Sequence, residues 1–210
     1  IVQECPGFLV NRLLMAYLNE AVLALEEGAA TAEEIDEALG RGGFGWPMGP
    51  FFLMDMVGID VCYHTGEYLY AQYGERVHPA KLFSELMKAE RFGQRVGAGF
   101  YVYSDIEVEP LEAIVQRLQE AGEVSTGSRF SVDRLMMAFV NEAARCVEEE
   151  IANVNDIDMA CIAGIGMQVN LDGDLVRMGP LEYMDELGLD VVVDKLEALV
   201  DGLDLDRAEI

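Results

Sequence analysis

The chain has 210 residues, 51% of them hydrophobic and 25% charged, enough for one large or two small cores and incompatible with a wholly disordered chain. Lys and Arg number 14 against 39 Asp and Glu, a net charge of −25 that repels phosphate backbones and anionic membrane surfaces, so no nucleic-acid partner is expected. The longest apolar stretch, Phe8 to Leu25, is broken by Asn11, Arg12, Asn19 and Glu20, so no transmembrane segment is expected either.

From Val10 the residues Val10, Leu13, Leu14, Tyr17, Leu18, Ala21, Val22 and Leu25 recur at helical spacing, and Gly28 stops that helix. Thr31 to Glu34 forms a capping box that opens a second helix. Gly40-Arg-Gly42-Gly-Phe-Gly45 fits G-x-G-x-x-G, but a dinucleotide fingerprint needs a strand before it and a helix directly after. Here a helix precedes and Trp46-Pro47-Met48-Gly49-Pro50 follows, so the favoured reading is a tight interhelical turn. Pro50 suits the first turn of a third helix. His64, among Val61, Cys62 and Tyr63, reads as a packed helical side chain, and His78, before Pro79, as a loop residue. Neither has a metal-binding frame.

Further along, Pro79 to Ala89 is expected to be helical, Gly99 to Tyr103 extended or loop-like, and Pro110 to Ala121 helical within a connecting segment. Asn170-Leu-Asp172-Gly-Asp174 begins like a calcium loop, yet Leu175 and Leu181 occupy the positions that need Gly and Glu, so a solvated turn is the favoured reading. Asp201 to Glu209 reads as a solvated acidic tail. No alternating strand series occurs, and the fold class expected is all-α. Cys5, Cys62, Cys146 and Cys161 form no C-x-x-C pair and point to reduced thiols in a cytoplasm. Ile1 is not a natural start, so a fragment or a processed product is expected.

The chain also repeats itself. Phe8-Leu-Val-Asn-Arg12 through Asn19-Glu20-Ala21 aligns without a gap on Phe130-Ser-Val-Asp-Arg134 through Asn141-Glu142-Ala143. The register continues through Glu26-Glu27 over Glu148-Glu149 and Ile35-Asp36 over Ile157-Asp158. After an insertion in the second copy, Met48-Gly49-Pro50 matches Met178-Gly179-Pro180, Asp55 matches Asp185, and Gly58-Ile59-Asp60 matches Gly188-Leu189-Asp190. Asn153 takes the capping place of Thr31, and Pro180 that of Pro50. The expected organisation is a first copy over 1–104, a linker with a short helix over 105–127, and a second copy with its acidic tail over 128–210.

One polar pair stands apart. Asn11 and Arg12 lie in the first turn of an apolar helix, after Pro6-Gly7. An end cap or surface contact is the simpler reading, and an amide reaching into a neighbouring site is the other. Pro6-Gly7-Phe8-Leu9-Val10-Asn11-Arg12-Leu13 resembles the opening of the C-terminal domain of the 3-hydroxyacyl-CoA dehydrogenases. The resemblance continues through Ile35-Asp36, Pro47-Met48-Gly49-Pro50 with Asp55 and Gly58-Ile59-Asp60, and Phe92-Gly93-Gln94-Arg95-Val96-Gly97-Ala98-Gly99-Phe100-Tyr101. It covers nearly all of the first copy; the second lacks the Phe-Gly-Gln…Gly-Phe-Tyr tail. Two copies in tandem are similar to the multifunctional fatty-acid oxidation enzymes.

The resemblance implies a 6-phosphogluconate dehydrogenase C-terminal-like helical fold, with the two copies packed as a pseudo-dimer. It implies NAD-dependent oxidation of an L-3-hydroxyacyl-CoA in β-oxidation. NAD and the catalytic His and Glu would belong to an upstream Rossmann domain, so this segment alone would be inactive. Asn11 would help position the substrate oxygen, and Met48 and Phe51 would wall the substrate cleft. Asp133 replaces Asn11 in the second copy and would repel a developing oxyanion. Implied partners are the acyl-CoA substrate, an enoyl-CoA hydratase domain and a thiolase subunit. The competing expectation is a non-catalytic acidic helical scaffold. The Pro-Met-Gly-Pro and Gly-Phe-Tyr elements argue against a β-hydroxyacid dehydrogenase. With only three lysines, Lys81, Lys88 and Lys195, the composition is also a pattern expected of salt-adapted proteins.

Overall fold

In the computed structural model, which describes residues 2–202, the first apolar period becomes α1 (Leu9–Glu26), whose Leu13, Tyr17, Ala21 and Val22 are fully buried. The capping box forms as expected: Thr31 Oγ1 accepts from the Glu34 N–H at 3.2 Å and Glu34 accepts from the Thr31 N–H at 2.9 Å, starting α2 (Ala32–Leu39). Pro50 opens α3 (Pro50–Val57), and α4 (Ile59–Tyr73) follows after Gly58. A 3-10 turn, Gly74–Val77, leads to α5 (Lys81–Lys88).

The sequence expects that last helix to begin at Pro79. Asn19 of α1 prevents it, because its amide donates to the His78 carbonyl at 2.9 Å and its oxygen accepts the Ala80 N–H at 2.8 Å. Those bonds hold Ala80 extended and delay the first turn. Beyond α5, bridges Gly93–Ala98 and Ala98–Val102 fold the Gly-Phe-Tyr tail back on itself, and α6 (Leu111–Glu120) packs on α1 and α5.

The second copy comprises α7 (Val132–Glu148), α8 (Val154–Ile165), α9 (Pro180–Leu187) and α10 (Leu189–Gly202). Its insertion is an antiparallel hairpin, β1 (Val169–Leu171) with β2 (Asp174–Val176), where a solvated turn is expected from sequence. Asp172 and Gly173 take φ of +54° and +101°, the conformation a two-residue hairpin requires. The hairpin docks on the first copy: the Asn170 N–H donates to the Phe44 carbonyl at 2.7 Å and the Gln168 amide to the Gly45 carbonyl at 2.7 Å. Apart from this hairpin and the isolated bridges, regular structure among the described residues is helical, and no described helix is long and apolar enough to cross a membrane.

The two copies pack face to face through α1 and α7, the most extensive helix contact in the fold. An offset of 122 residues relates the copies, so Arg12, Glu20 and Glu27 correspond to Arg134, Glu142 and Glu149. Arg12 donates to Glu142 at 2.5 Å and to Glu149 at 2.7 Å, while Arg134 donates to Glu20 and, at 2.8 Å, to Glu27. Reciprocal contacts of this kind define a two-fold, isologous interface, here within one chain. At its centre Tyr17 stacks on Trp46 with ring centroids 4.5 Å apart, and Phe139, the counterpart of Tyr17, meets the Trp46 ring edge-on at 5.3 Å.

Candidate functional site

The site is built from the exposed start of α1. Phe8 at its N-cap has φ of +55° and is 75% exposed, and the helix end receives no side-chain cap. Asn11 is exposed, and its amide makes no hydrogen bond among the described residues. Arg12, one residue on, turns the other way and is 2% exposed beneath α7. The neighbouring residues therefore part: one amide faces outward, and one guanidinium is sealed between the copies.

Met48 is half-buried before α3. Phe51, expected in the cleft wall, instead lies in the core with no exposed surface, its ring 4.6 Å from Phe100. The reason is its backbone. Asp36 accepts the N–H groups of Phe51 and Phe52 at 2.8 and 2.9 Å, which fixes the first turn of α3 with Phe51 inward and Phe52 outward. The exposed apolar side chains of α3 are Phe52, Met56 and Val57. His64 is exposed on α4, where a packed side chain is expected, because Cys62, Gly66 and Leu69 supply the buried stripe of that helix. His78 lies in a loop against Tyr70.

Asp36 recurs as Asp158, which accepts from Leu181 and Glu182 at 2.8 and 3.1 Å at the start of α9. Met-Gly-Pro precedes both helices for a steric reason. A Cβ on Gly49 would stand 2.4 Å from Asp36 Oδ1, and one on Gly179 2.3 Å from Asp158 Cβ. Asp55 is a second buried carboxylate. It accepts from the Phe100 and Tyr101 N–H groups at 2.8 and 2.9 Å and from the Tyr103 hydroxyl at 2.9 Å, which pins the tail over α3. Burial raises the carboxyls of Asp36, Asp55 and Asp158 above the ordinary range, and their hydrogen bonds work against the rise. Asp185, the counterpart of Asp55, is exposed, because the second copy has no such tail.

Sequence reasoning missed the buried role of Arg12. Burial opposes its charge, but the bonds to Glu149 and Glu142 prevail and hold its pKa above the usual guanidinium value. The same bond holds Glu149 below the usual carboxylate value. Arg12 and Arg76 flank the Tyr73 ring, each 4.5 Å from its centroid. They border a cleft of about 600 Å³ between α1, α4 and α7. In the second copy Asp133, at the place of Asn11, forms an ion pair with Lys195 of α10.

A model of the 3-hydroxyacyl-CoA dehydrogenase C-terminal domain matches residues 7–103 and again 130–209. The chain belongs to the 3-hydroxyacyl-CoA dehydrogenase C-terminal domain family. It is 36% identical over 201 residues to the fatty acid oxidation complex subunit alpha of Psychrobacter cryohalolentis, covering 90% of this chain and 27% of that protein. It is 38% identical over 208 residues to the same subunit of Shewanella amazonensis, covering 94% and 27%. The chain thus spans about a quarter of the length of these relatives. Among solved structures, 3-hydroxybutyryl-CoA dehydrogenase from Escherichia coli K12 superposes with a TM-score of 0.75 at 24% identity, over 98% of this chain and 60% of that one. The dehydrogenase part of multifunctional enzyme 1 from C. elegans superposes with a TM-score of 0.64 at 24% identity, over 95% and 44%. Both share the fold.

The 3-hydroxyacyl-CoA dehydrogenase family implies use of NAD, and the glycine loop of this chain does not fit it. The N–H groups of Gly43 and Gly45 are bonded to the Gly40 carbonyl, that of Phe44 to Ala38, and that of Trp46 to Leu39, so these four are turned into the loop rather than toward a phosphate. The loop's outer side carries the hairpin of the second copy, with Leu175 packed where a Cβ on Gly45 would fall.

Proposed function

We propose that this chain is the substrate-side, helical region of an NAD-dependent L-3-hydroxyacyl-CoA dehydrogenase of fatty-acid β-oxidation. NAD and the catalytic acid–base pair are assigned to a Rossmann domain outside these residues. The carrying observation is Asn11: exposed, without a hydrogen-bond partner among the described residues, and at the start of α1 within the motif that resembles the family's opening. An unpaired amide there can donate to the substrate's 3-oxygen and hold it in place. Half-buried Met48 and the exposed Phe52 and Met56 of α3 are assigned to the substrate wall.

The second copy takes the place of a partner subunit's helical domain. Its own counterpart of the site is inactive, because Asp133 is a carboxylate tied to Lys195. The proposed partners are the acyl-CoA substrate, the Rossmann domain, an enoyl-CoA hydratase domain and a thiolase subunit. The fatty-acid oxidation complexes named among the relatives support that assignment. A cytoplasmic location fits four free cysteines, three of them buried.

The test is acetoacetyl-CoA-dependent NADH oxidation by the natural full-length protein. Asn11→Ala is expected to lower kcat on the order of 10²-fold with the fold intact. Turnover with no Asn11 effect would remove the residue from the site, and no turnover at all would favour the acidic scaffold.

A further inference from the structure

We propose that the cleft between α1, α4 and α7 binds a fatty carboxylate, its chain on the apolar floor and its carboxylate on Arg145 and Asn141. This site is separate from Asn11 and does not depend on the dehydrogenase reading. Its volume of about 600 Å³ lies within the range of small-molecule clefts, roughly 300–1,000 Å³. Met15, Leu23, Leu69 and Val77 supply apolar lining, enough for a flexible chain of about a dozen carbons.

In so acidic a protein an anion needs a cation that is not already committed. Arg12 and Arg76 are committed to Glu142 and Glu149. Each carboxylate on the lining also has a donor. Glu20 accepts from Arg134, Glu26 from the Leu82 N–H at 2.8 Å, and Glu75 from the Tyr70 hydroxyl at 2.6 Å. Glu123 pairs with Lys81 at 4.0 Å. Arg145 and Asn141 remain: both are half-buried, both line the cleft, and neither makes a side-chain hydrogen bond among the described residues. Glu149 feels the Arg145 charge, but its oxygens go to Arg12. An arginine and an amide side by side can hold both oxygens of a carboxylate.

The two-fold relation sharpens the assignment. In the first copy Arg145 corresponds to Leu23 and Asn141 to Asn19; both line this same cleft, and the Asn19 amide is used on the loop 78–80. The mirrored cleft is closed by Leu196, Leu199 and Val200 of α10 and holds only about 10 Å³. The copies have thus diverged into one closed seam, where Arg134 is committed to Glu20, and one open cleft whose Arg145 has no ion pair among the described residues.

Calorimetric titration of dodecanoate into the natural full-length protein, without NAD, tests this. One site is expected, weakened about tenfold or more by Arg145→Gln, restored in part by Arg145→Lys, and blocked by Ala16→Phe, which fills the cleft. Dodecyltrimethylammonium, with the same chain and the opposite charge, is expected not to compete. Absence of dodecanoate binding, or equal binding by Arg145→Gln, would overturn the proposal. So would tighter binding of dodecanoyl-CoA in competition, which would assign the cleft to the thioester. Arg145→Gln alters a half-buried side chain at a helix end and keeps the test decisive if Ala16→Phe does not fold.

Discussion

Arg12 donates to Glu142 at 2.5 Å, and Arg134 and Glu20, their counterparts in the other copy, make the same bond in return. Four charges are thereby closed into the seam between α1 and α7, with Arg12, Glu142 and Arg134 each less than a tenth exposed. Such pairs add little over apolar packing but penalise the loss of one partner heavily, since the other charge is left buried. They also set register, because a slip of α7 along α1 would separate both pairs at once.

Removing one partner should therefore cost more than removing both. Arg12→Met is expected to destabilise by about 3–5 kcal/mol. The double variant Arg12→Met/Glu142→Leu is expected to recover much of that loss. Urea unfolding of the four species of this cycle, and of the mirrored Arg134 and Glu20 cycle, checks it. Additive effects at both seams would contradict the buried-pair account.

The tail network gives a paired comparison. Asp55→Asn turns amide hydrogens toward bonded N–H groups and is expected to cost about 2–3 kcal/mol. Asp185→Asn, at the equivalent but exposed position, should stay within about 0.5 kcal/mol of wild type. Equal losses by thermal unfolding would show that the tail does not depend on Asp55.

Gly49→Ala and Gly179→Ala should each destabilise by about 1–3 kcal/mol, because a methyl group at either position enters the space of Asp36 or Asp158. Both glycines have ordinary negative φ, so the cost is steric rather than conformational. Asp36→Ala combined with Gly49→Ala would relieve the clash, and denaturation of the pair against the singles would show it as non-additivity.

The pH dependence follows from opposing signs. Asp36, Asp55 and Asp158 have folded pKa values raised by burial, so their contribution is complete below the ordinary Asp value and is lost as pH rises through the raised value. Glu149 is lowered by its bond to Arg12, so its contribution is present above the ordinary Glu value and lost as pH falls through the lowered one. Relief of the repulsion within a charge of −25 acts with the aspartates. The melting temperature is thus expected to hold or rise from neutral pH to about pH 5 and to fall only below about pH 4. A steady fall from neutrality would contradict this. Screening predicts in addition that about 1 M KCl raises the melting temperature.

The repeat, the all-α class and the helix caps at Thr31 and Asn153 were legible because each is written in the order and spacing of residues along the chain. Thr31 and Glu34 need only each other, and Pro50 only its own missing N–H. The hairpin was less legible: its strands are three residues each, and its docking on Phe44 and Gly45 joins segments far apart in the chain. Phe51 and His64 were misplaced because residue type does not give the direction of a side chain on a short helix. Asp36 turns Phe51 inward from 15 residues away. From sequence Arg12 reads as half of a polar pair with Asn11, yet its partners lie 130 and 137 residues on. The signal for it was present in the repeat arithmetic, which carries Arg12, Glu20 and Glu27 together onto Arg134, Glu142 and Glu149.

The central claim, that two copies within one chain close the interface that two subunits would otherwise share, is tested most directly by the dependence of the melting temperature on protein concentration. An intramolecular seam predicts the same melting temperature over about a hundredfold dilution, with Arg12→Met lowering it equally at every concentration. A melting temperature that falls on dilution, with the Arg12→Met deficit largest in the most dilute sample, would place the seam between chains and contradict the account.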